Sequence, residues 1–256
     1  MDKLRVLILA GTVEARHLAA LVATESDICG VASLAGVTQS PKKYGLQTRV
    51  GGFGGQAGLA HYLQQGRFDV LVDATHPFAA QMSQNAVDAV ATCAIPLVRL
   101  RRKEWAQHKS IKWHNFNNLD DALAALPTNG KAFLATGSKS IAAVARNPTK
   151  HLYLRVIEEP AQPFPNPAGG FIVARPPYPE ADEMALFERL KITHLISKNS
   201  GGTASQAKLH AAARLGLTIN MVARPTEHAE AVVETPHEVL AILTTMVANK
   251  RRGAAS

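Results

Sequence analysis

The sequence predicts an α/β protein of two domains, each a mostly parallel sheet flanked by helices. Three observations predict it. Short β-branched or aliphatic runs alternate with helix-length amphipathic stretches almost throughout, as strand and crossover helix do in parallel sheets. The alternation runs to about residue 100 and then restarts after "RLRRKEW". The 256 residues suffice for two domains of about 100 to 150 residues, each able to bury its own core.

In the first half, strands are expected at "RVLILA" (5–10), "DICGVAS" (27–33), "TRVGG" (48–52), "DVLVDAT" (69–75) and "PLVRL" (96–100). Helices fall between them at 13–24, 56–65 and 78–93, giving a five-stranded sheet that ends near residue 100. The second half offers "AFLAT" (132–136), "LYLRVI" (152–157), "GFIVA" (170–174), "HLIS" (194–197) and "TINMVA" (218–223). Its helices are expected at 138–146, 180–190, 203–215 and 236–248, and Asp120 and Asp121 read as capping residues at a further helix start. "EEPAQPFPNPAGG" (158–170) is an irregular surface loop inside the second domain rather than a linker. The expected boundaries are therefore 1–100 for an N-terminal domain with a phosphate-binding turn, 101–248 for a C-terminal domain, and 249–256 for a solvated basic tail.

A hydrophobic share of 46% with 19% charged residues is that of an ordinary globular chain. The two cysteines, Cys29 in a strand-like run and Cys93 near a helix end, have no metal-ligand spacing and suit a reduced, cytoplasmic protein. The N-terminus has too short an apolar core for a signal peptide, and no run approaches the ~18 residues of a membrane span. Lysine and arginine exceed acidic residues by 28 − 20 = 8. Part of that surplus lies in the tail, and part in "RLRRK" (99–103), which could face nucleic acid or a polyanionic small molecule. Aromatics at 5%, not interleaved with the basic residues, argue against a base-stacking surface, and no nucleic-acid partner is expected.

Ligands of open parallel sheets bind beyond the carboxyl ends of the strands, so the residues after each strand carry the functional reading. After the first strand, "AGTVEAR" offers Gly11, the capping Thr12 and Glu14, with free helix amides suited to phosphate; with one glycine it is not a full dinucleotide fingerprint. Ser33 ends the second strand, and "GGFGG" places Gly52, Phe53 and Gly54 after the third. The fourth ends in "DATHPFAAQ", with Asp73, Thr75 and His76 at the tip and Pro77 opening a helix. In the second half "LATGSKS" repeats the first turn through Thr136, Gly137, Ser138 and Lys139. "SKNSGG" is the most polar of these ends, with Ser197, Lys198, Asn199, Ser200, Gly201 and Gly202 directly after a buried strand. Each turn can also be read as a capped helix start. No G-x-S-x-G elbow, Walker lysine, HExxH or histidine ligand spacing occurs, so no metal is expected.

Taken together, "LILAGTVEARHLA", "SLAG" (33–36), "VGGFGG" (50–55), "DATHPFAAQMSQNA" (73–86), "SKNSGG" with its following helix (197–217) and "MVARP" (221–225) resemble the precorrin-6A (precorrin-6x) reductase family of cobalamin biosynthesis, in order along nearly the whole chain. The "GGFGG" segment is more similar to the oxygen-dependent branch than to the cobalt-precorrin branch. The resemblance implies two Rossmann-like domains with a ligand cleft between them. It also implies NADPH as cofactor, with NADH as the alternative, and hydride transfer to a polycarboxylate tetrapyrrole that a basic site would attract. On that reading Gly11, Thr12, Glu14, Ser33, Thr75, Thr136, Gly137, Ser138, Lys139, Ser200 and Gly201 bind cofactor. Gly52, Phe53, Gly54, His76, Pro77, Ser197, Lys198 and Asn199 bind substrate, and His76 and Lys198 are the catalytic candidates. Val37, and Ser138 with Lys139, stand where relatives commonly carry arginine; Lys42, Lys43 or Lys139 are the expected replacements. The competing readings are a cobalt-precorrin-6A reductase using NADH, a non-catalytic tetrapyrrole or nucleotide binder, and a nucleic-acid binder using "RLRRK" and the tail. A monomer is compatible with these features.

Overall fold

The structure, a computed structural model, describes residues 3–36, 44–203, 205–225 and 232–253. In chain order its elements are β1 (Leu4–Leu9), α1 (Val13–Ala23), β2 (Ile28–Leu34), β3 (Gln47–Val50), α2 (Gln56–Gln65), β4 (Val70–Asp73), α3 (Ala80–Cys93) and β5 (Leu97–Leu100). There follow β6 (His114–Phe116), α4 (Leu119–Ala124), β7 (Lys131–Ala135), a 3-10 turn (Ser138–Ser140), α5 (Ile141–Ala145), β8 (His151–Val156), β9 (Gly169–Val173), α6 (Glu180–Leu190), β10 (His194–Lys198), α7 (Ala207–Arg214), β11 (Thr218–Val222), β12 (Val232–Val233) and α8 (Pro236–Gly253). The chain divides into two compact units, one of residues up to 103 together with 232–253, the other of residues 104–225.

The first unit holds the sheet β12-β5-β4-β1-β2-β3, parallel at every pairing. Read from the other edge, the six strands lie in the doubly wound order 3-2-1-4-5-6. Side chains alternate between its faces. Val6, Ile8, Ala32 and Val72 meet Leu18 and Val22 of α1 and Val239 and Leu243 of α8, while Leu7, Leu9, Val31 and Leu71 meet Leu59 and Leu63 of α2 and Ala86 and Ala89 of α3. Most of these are fully enclosed, so each large aliphatic side chain contributes about 1.5–3 kcal/mol of transfer free energy.

The second unit repeats the order as β6-β11-β10-β7-β8-β9, again all parallel, with the sixth place filled from the start of the unit instead of its end. Phe133, Leu195, Ile219 and Met221 pack on Phe187 of α6 and Leu209, Ala211 and Ala212 of α7. Below this sheet Arg155 and Glu183 form a buried bidentate pair at 2.6 and 2.9 Å, with the guanidinium 4.6 Å from the Phe133 ring centre and 4.1 Å from that of Tyr178.

Three expectations change. The expected five-stranded first sheet has six strands, because β12 pairs with Arg99 and Leu100 from far along the chain. The expected helix at 236–248 belongs with the first unit, not the second, since Val239 and Leu243 complete the face under α1. Residues 249–253 are the last turn of α8 rather than a free tail: Lys250 Nζ bonds both Asp69 carboxylate oxygens at 2.8 and 2.9 Å, and Arg251 pairs with Asp27. The strand β6 went unanticipated because it is three residues long and largely exposed, too short for a periodic signal.

Candidate active site at the strand carboxyl ends

In each sheet the strand order reverses between two neighbours, β1 and β4 in the first and β7 and β10 in the second. At such a switch point the two crossover helices leave on opposite faces, and the crevice beyond the carboxyl ends is the default ligand site.

At the first switch point, Gly11 takes φ +129°, and a Cβ there would project into open space. Its amide donates to the hydroxyl of buried Tyr44 at 3.2 Å. Thr12 caps α1: its Oγ1 accepts from Ala15 N at 3.0 Å and donates to Ala74 O at 2.8 Å, so one hydroxyl ties the β1 turn to the β4 turn. The Ala15 amide is thereby satisfied, while the two amides before it have no intrahelical acceptor and suit an anion. Glu14, in that same first turn, is committed to Arg102 at 2.7 Å.

The β4 turn is braced from beneath. Asp73, 1% exposed, accepts from Thr75 N and Oγ1 at 3.1 and 2.6 Å, from Ser83 Oγ at 2.6 Å, and faces Arg99 Nε at 3.4 Å. Arg101 donates to Pro77 O at 3.1 Å and to Ser83 Oγ at 3.3 Å. These contacts correct the reading of "RLRRK" as an outward basic patch: Arg99 and Arg101 are buried and Arg102 is paired with Glu14. Above this base His76 is exposed, and its Nδ1 accepts from Phe78 N at 3.2 Å. A neutral His76 ring then carries its proton on Nε2.

Beside this turn, Ser33 and Arg49 are registered opposite each other across β2 and β3. Arg49 Nη1 donates to Ser33 Oγ at 3.0 Å and to Gly51 O at 2.8 Å, Nη2 donates to Gly52 O at 3.1 Å, and the guanidinium lies 3.9 Å from the Phe53 ring centre. The "GGFGG" loop is thus wrapped around one arginine.

At the second switch point Lys198 Nζ donates to Thr136 O at 2.8 Å, joining "ATGSKS" to "SKNSGG". Burial, and then the charge of Lys139, push the Lys198 ammonium below its ordinary pKa. Thr136 is buried, and among the described residues its Oγ1 has no hydrogen-bond partner. Gly137 and Ser138 complete the turn. Ser197 is fully buried and its Oγ leans on Lys198 O at 3.4 Å. Asn199 is committed within the unit: Oδ1 accepts from Trp105 N at 2.9 Å, and Nδ2 donates to Trp105 O at 3.1 Å and Glu104 Oε2 at 3.2 Å. Its carbonyl and that of Ser200 accept from Arg224 at 2.9 and 3.1 Å, and Gly202 O accepts from Trp105 Nε1 at 2.7 Å.

The structure therefore brings Gly11, Thr12, Thr75, His76 and Pro77 to one switch point, with Ser33 and residues 52–54 at the neighbouring strand ends. Thr136, Lys139, Lys198 and Ser200 stand at the other. Ser197 and Asn199 lie at the same strand end, bonded to Lys198 and to Trp105 and Glu104 respectively. Arg49 and Tyr44, and the bracing contacts that join Asp73 to Ser83 and Arg99 and Ser83 to Arg101, escaped the sequence reading, although an arginine two residues before a glycine cluster was a usable signal. Val37, Lys42 and Lys43 lie outside the described residues.

In the first unit, open backbone at Gly11, unspent helix amides and the cation of Arg49 suit a phosphate-bearing ligand; in the second, the buried Thr136 hydroxyl, unpartnered among the described residues, and the cations of Lys139 and Lys198 suit anionic groups. The family profile described as "Precorrin-6x reductase CbiJ/CobK" matches residues 5–244. The chain belongs to that family. It is therefore an oxidoreductase of cobalamin biosynthesis. It is 43% identical over 222 residues to a protein named precorrin-6A reductase from Rhodococcus erythropolis, covering 86% of this chain and 89% of that one. It is 38% identical over 248 residues to one of the same name from Rhodobacter capsulatus, covering 96% and 98%. The solved structure titled CobK precorrin-6A reductase superposes with a TM-score of 0.88 at 38% identity, over 96% of this chain and 97% of that one. Among the described residues, no group of three or more His, Cys, Asp or Glu could hold a metal ion, and no helix is long and apolar enough to cross a membrane.

Proposed function

We propose that this reductase catalyses the NADPH-dependent reduction of precorrin-6A to dihydro-precorrin-6 (precorrin-6B), adding a hydride and a proton across one double bond of the macrocycle. One observation carries the reading: turns of amides, hydroxyls and cations stand at the switch points of both sheets, in a chain whose relatives are named for this substrate. Reduced nicotinamide, when bound, supplies the hydride and its two electrons.

The chain's own residues bind, orient and supply the proton. Gly11, Thr12 and the first amides of α1 receive a diphosphate, and Glu14 fixes that turn through Arg102. Ser33 and Thr75 in the first unit, and Thr136, Gly137, Ser138, Lys139, Ser200 and Gly201 in the second, are the further residues proposed to bind cofactor. Gly52, Phe53, Gly54, His76 and Pro77 meet the macrocycle, and Lys198 meets one of its carboxylates or the reacting edge. Two groups hold a transferable proton: His76 at Nε2, with Nδ1 occupied by Phe78 N–H, and Lys198 at Nζ, whose release burial and Lys139 make easier. The Asp73 brace keeps the His76 turn in place while the ring moves from one protonation state to the other.

The test is an anaerobic incubation of the protein with precorrin-6A and NADPH, following the reduced-nicotinamide absorbance and the macrocycle spectrum together, with cobalt-precorrin-6A and NADH as the comparison pair. Coupled changes with the first pair are expected, and their absence would sink the reading. In the same assay His76→Ala and Lys198→Ala should each lower turnover by roughly 10²–10⁴-fold if their protons are used. Wild-type turnover and affinity in both would remove those roles.

A further inference from the structure

The proposed function leaves one question to the chain's own residues: what distinguishes a phosphorylated dinucleotide from a plain one. In doubly wound nucleotide sites the end of the second strand decides this, an acidic side chain there taking the ribose diol and an arginine instead taking a 2′-phosphate. Here β2 ends in Ser33-Leu34 and continues Ala35-Gly36, with no carboxylate. Opposite Ser33 in register stands Arg49.

The state of that arginine is informative. Arg99, Arg102, Arg155 and Arg224 each face a carboxylate within their own unit. Arg49 does not: among the described residues its partners are the Ser33 hydroxyl, the carbonyls of Gly51 and Gly52, and the rings of Phe53 and Tyr62. Three of its five N–H groups are used, so Nε–H and one Nη2–H remain, and its charge is not neutralised. The Phe53 ring at 3.9 Å and the two carbonyls fix the plane of the fork, which removes most of the entropy that a free arginine would lose on gripping an anion. Hydrogen-bond polarity agrees. Ser33 Oγ accepts from Nη1, and among the described residues its own O–H donates to no partner, which leaves it to an acceptor next to the guanidinium. Two adjoining donors, one carrying a full positive charge, match a phosphate monoester and mismatch a neutral diol, which needs an acceptor.

We infer that Arg49 and Ser33 are the specificity determinant of the cofactor site and grip the phosphate on the 2′ oxygen of its adenosine ribose. This rests on the nicotinamide-dinucleotide reading above and goes beyond it by naming the residues that choose between NADPH and NADH. A carboxylate of the macrocycle could offer Arg49 similar oxygens, so the measurement is made without macrocycle.

Dissociation constants for NADPH, NADH, adenosine 2′,5′-bisphosphate and AMP are measured by titration on wild type, Arg49→Gln, Arg49→Lys and Ser33→Asp, with circular dichroism to establish that each variant is folded. Wild type should bind NADPH and the bisphosphate at least tenfold tighter than NADH and AMP. Arg49→Gln should lose most of that ratio while its NADH constant stays within about twofold, Arg49→Lys should keep part of it, and Ser33→Asp should invert it, because a carboxylate accepts from the diol and repels the phosphate. Equal weakening of both members of each pair in Arg49→Gln, or unchanged constants for all four ligands, would overturn the assignment while leaving the reductase reading intact and Arg49 to the substrate. A wild type that binds none of the four would overturn the nicotinamide reading and this inference with it.

Discussion

Lys198 shows how little a residue's type says about its state. It closes β10 with its ammonium on Thr136 O, and burial and Lys139 together make the charged form costly. A lysine whose folded pKa is lowered binds fewer protons than the unfolded chain between its folded value and its ordinary one, so in that window stability rises with pH. Below the folded value the cost is fully present, and above the ordinary value it has vanished. The difference in unfolding free energy between wild type and Lys198→Met, followed by urea denaturation across the alkaline range, should therefore shift in favour of wild type as pH rises. A difference independent of pH would mean the ammonium is not penalised. The sequence marked Lys198, Thr136 and His76 as polar groups at strand tips. It could not mark Ser197 and Asn199 as buried, because both occur in the same polar run and only enclosure of Ser197 and the bonds of Asn199 to Trp105 and Glu104 separate them from it.

Elements here are placed by their ends. α8 begins with a reciprocal cap that the sequence reading passed over. Glu238 Oε2 accepts from the amides of Glu234 and Thr235 and from the Thr235 hydroxyl at 2.8–2.9 Å, and Thr235 Oγ1 accepts from Glu238 N at 3.3 Å. Those hydrogen bonds hold the Glu238 carboxyl below its ordinary pKa. Thr235→Ala should cost about 1 kcal/mol at neutral pH. A carboxylate with a depressed pKa stabilises above its unfolded value and loses that stabilisation as pH falls through the folded one, so the deficit of the variant should shrink in acid. Melting curves from pH 7 down to 3 would reveal a deficit that stays constant if the cap is not the cause. Close approach matters equally at α2, where a Cβ on Gly58 would collide with the Phe53 carbonyl; glycine lets the loop that carries Arg49's platform settle on the helix.

At the scale of the whole molecule, the strand and helix pattern of both halves was legible. Aliphatic runs of strand length between amphipathic stretches have few alternatives once both faces must be covered. Ownership of the last helix was not. Val239 and Leu243 are fully buried on the α1 face of the first unit, about 140 residues after that sheet's fifth strand. Leu243→Ala should destabilise the first unit by roughly 2–5 kcal/mol. Hydrogen exchange is the suitable measurement, with lost protection expected in β1, β2 and α1; loss confined to β7 and β10 would contradict the assignment. By itself the sequence determined the number and kind of most elements, the polar strand tips and the resemblance to a reductase family, because these depend on local periodicity and on residues adjacent in the chain. Only the tertiary structure decided which unit owns α8, that "RLRRK" turns inward to brace the His76 turn, and that Arg49 stands beside Ser33 with no carboxylate partner among the described residues. Each of these is a contact between residues far apart in the chain, and its energy comes from burial and pairing that no local pattern records.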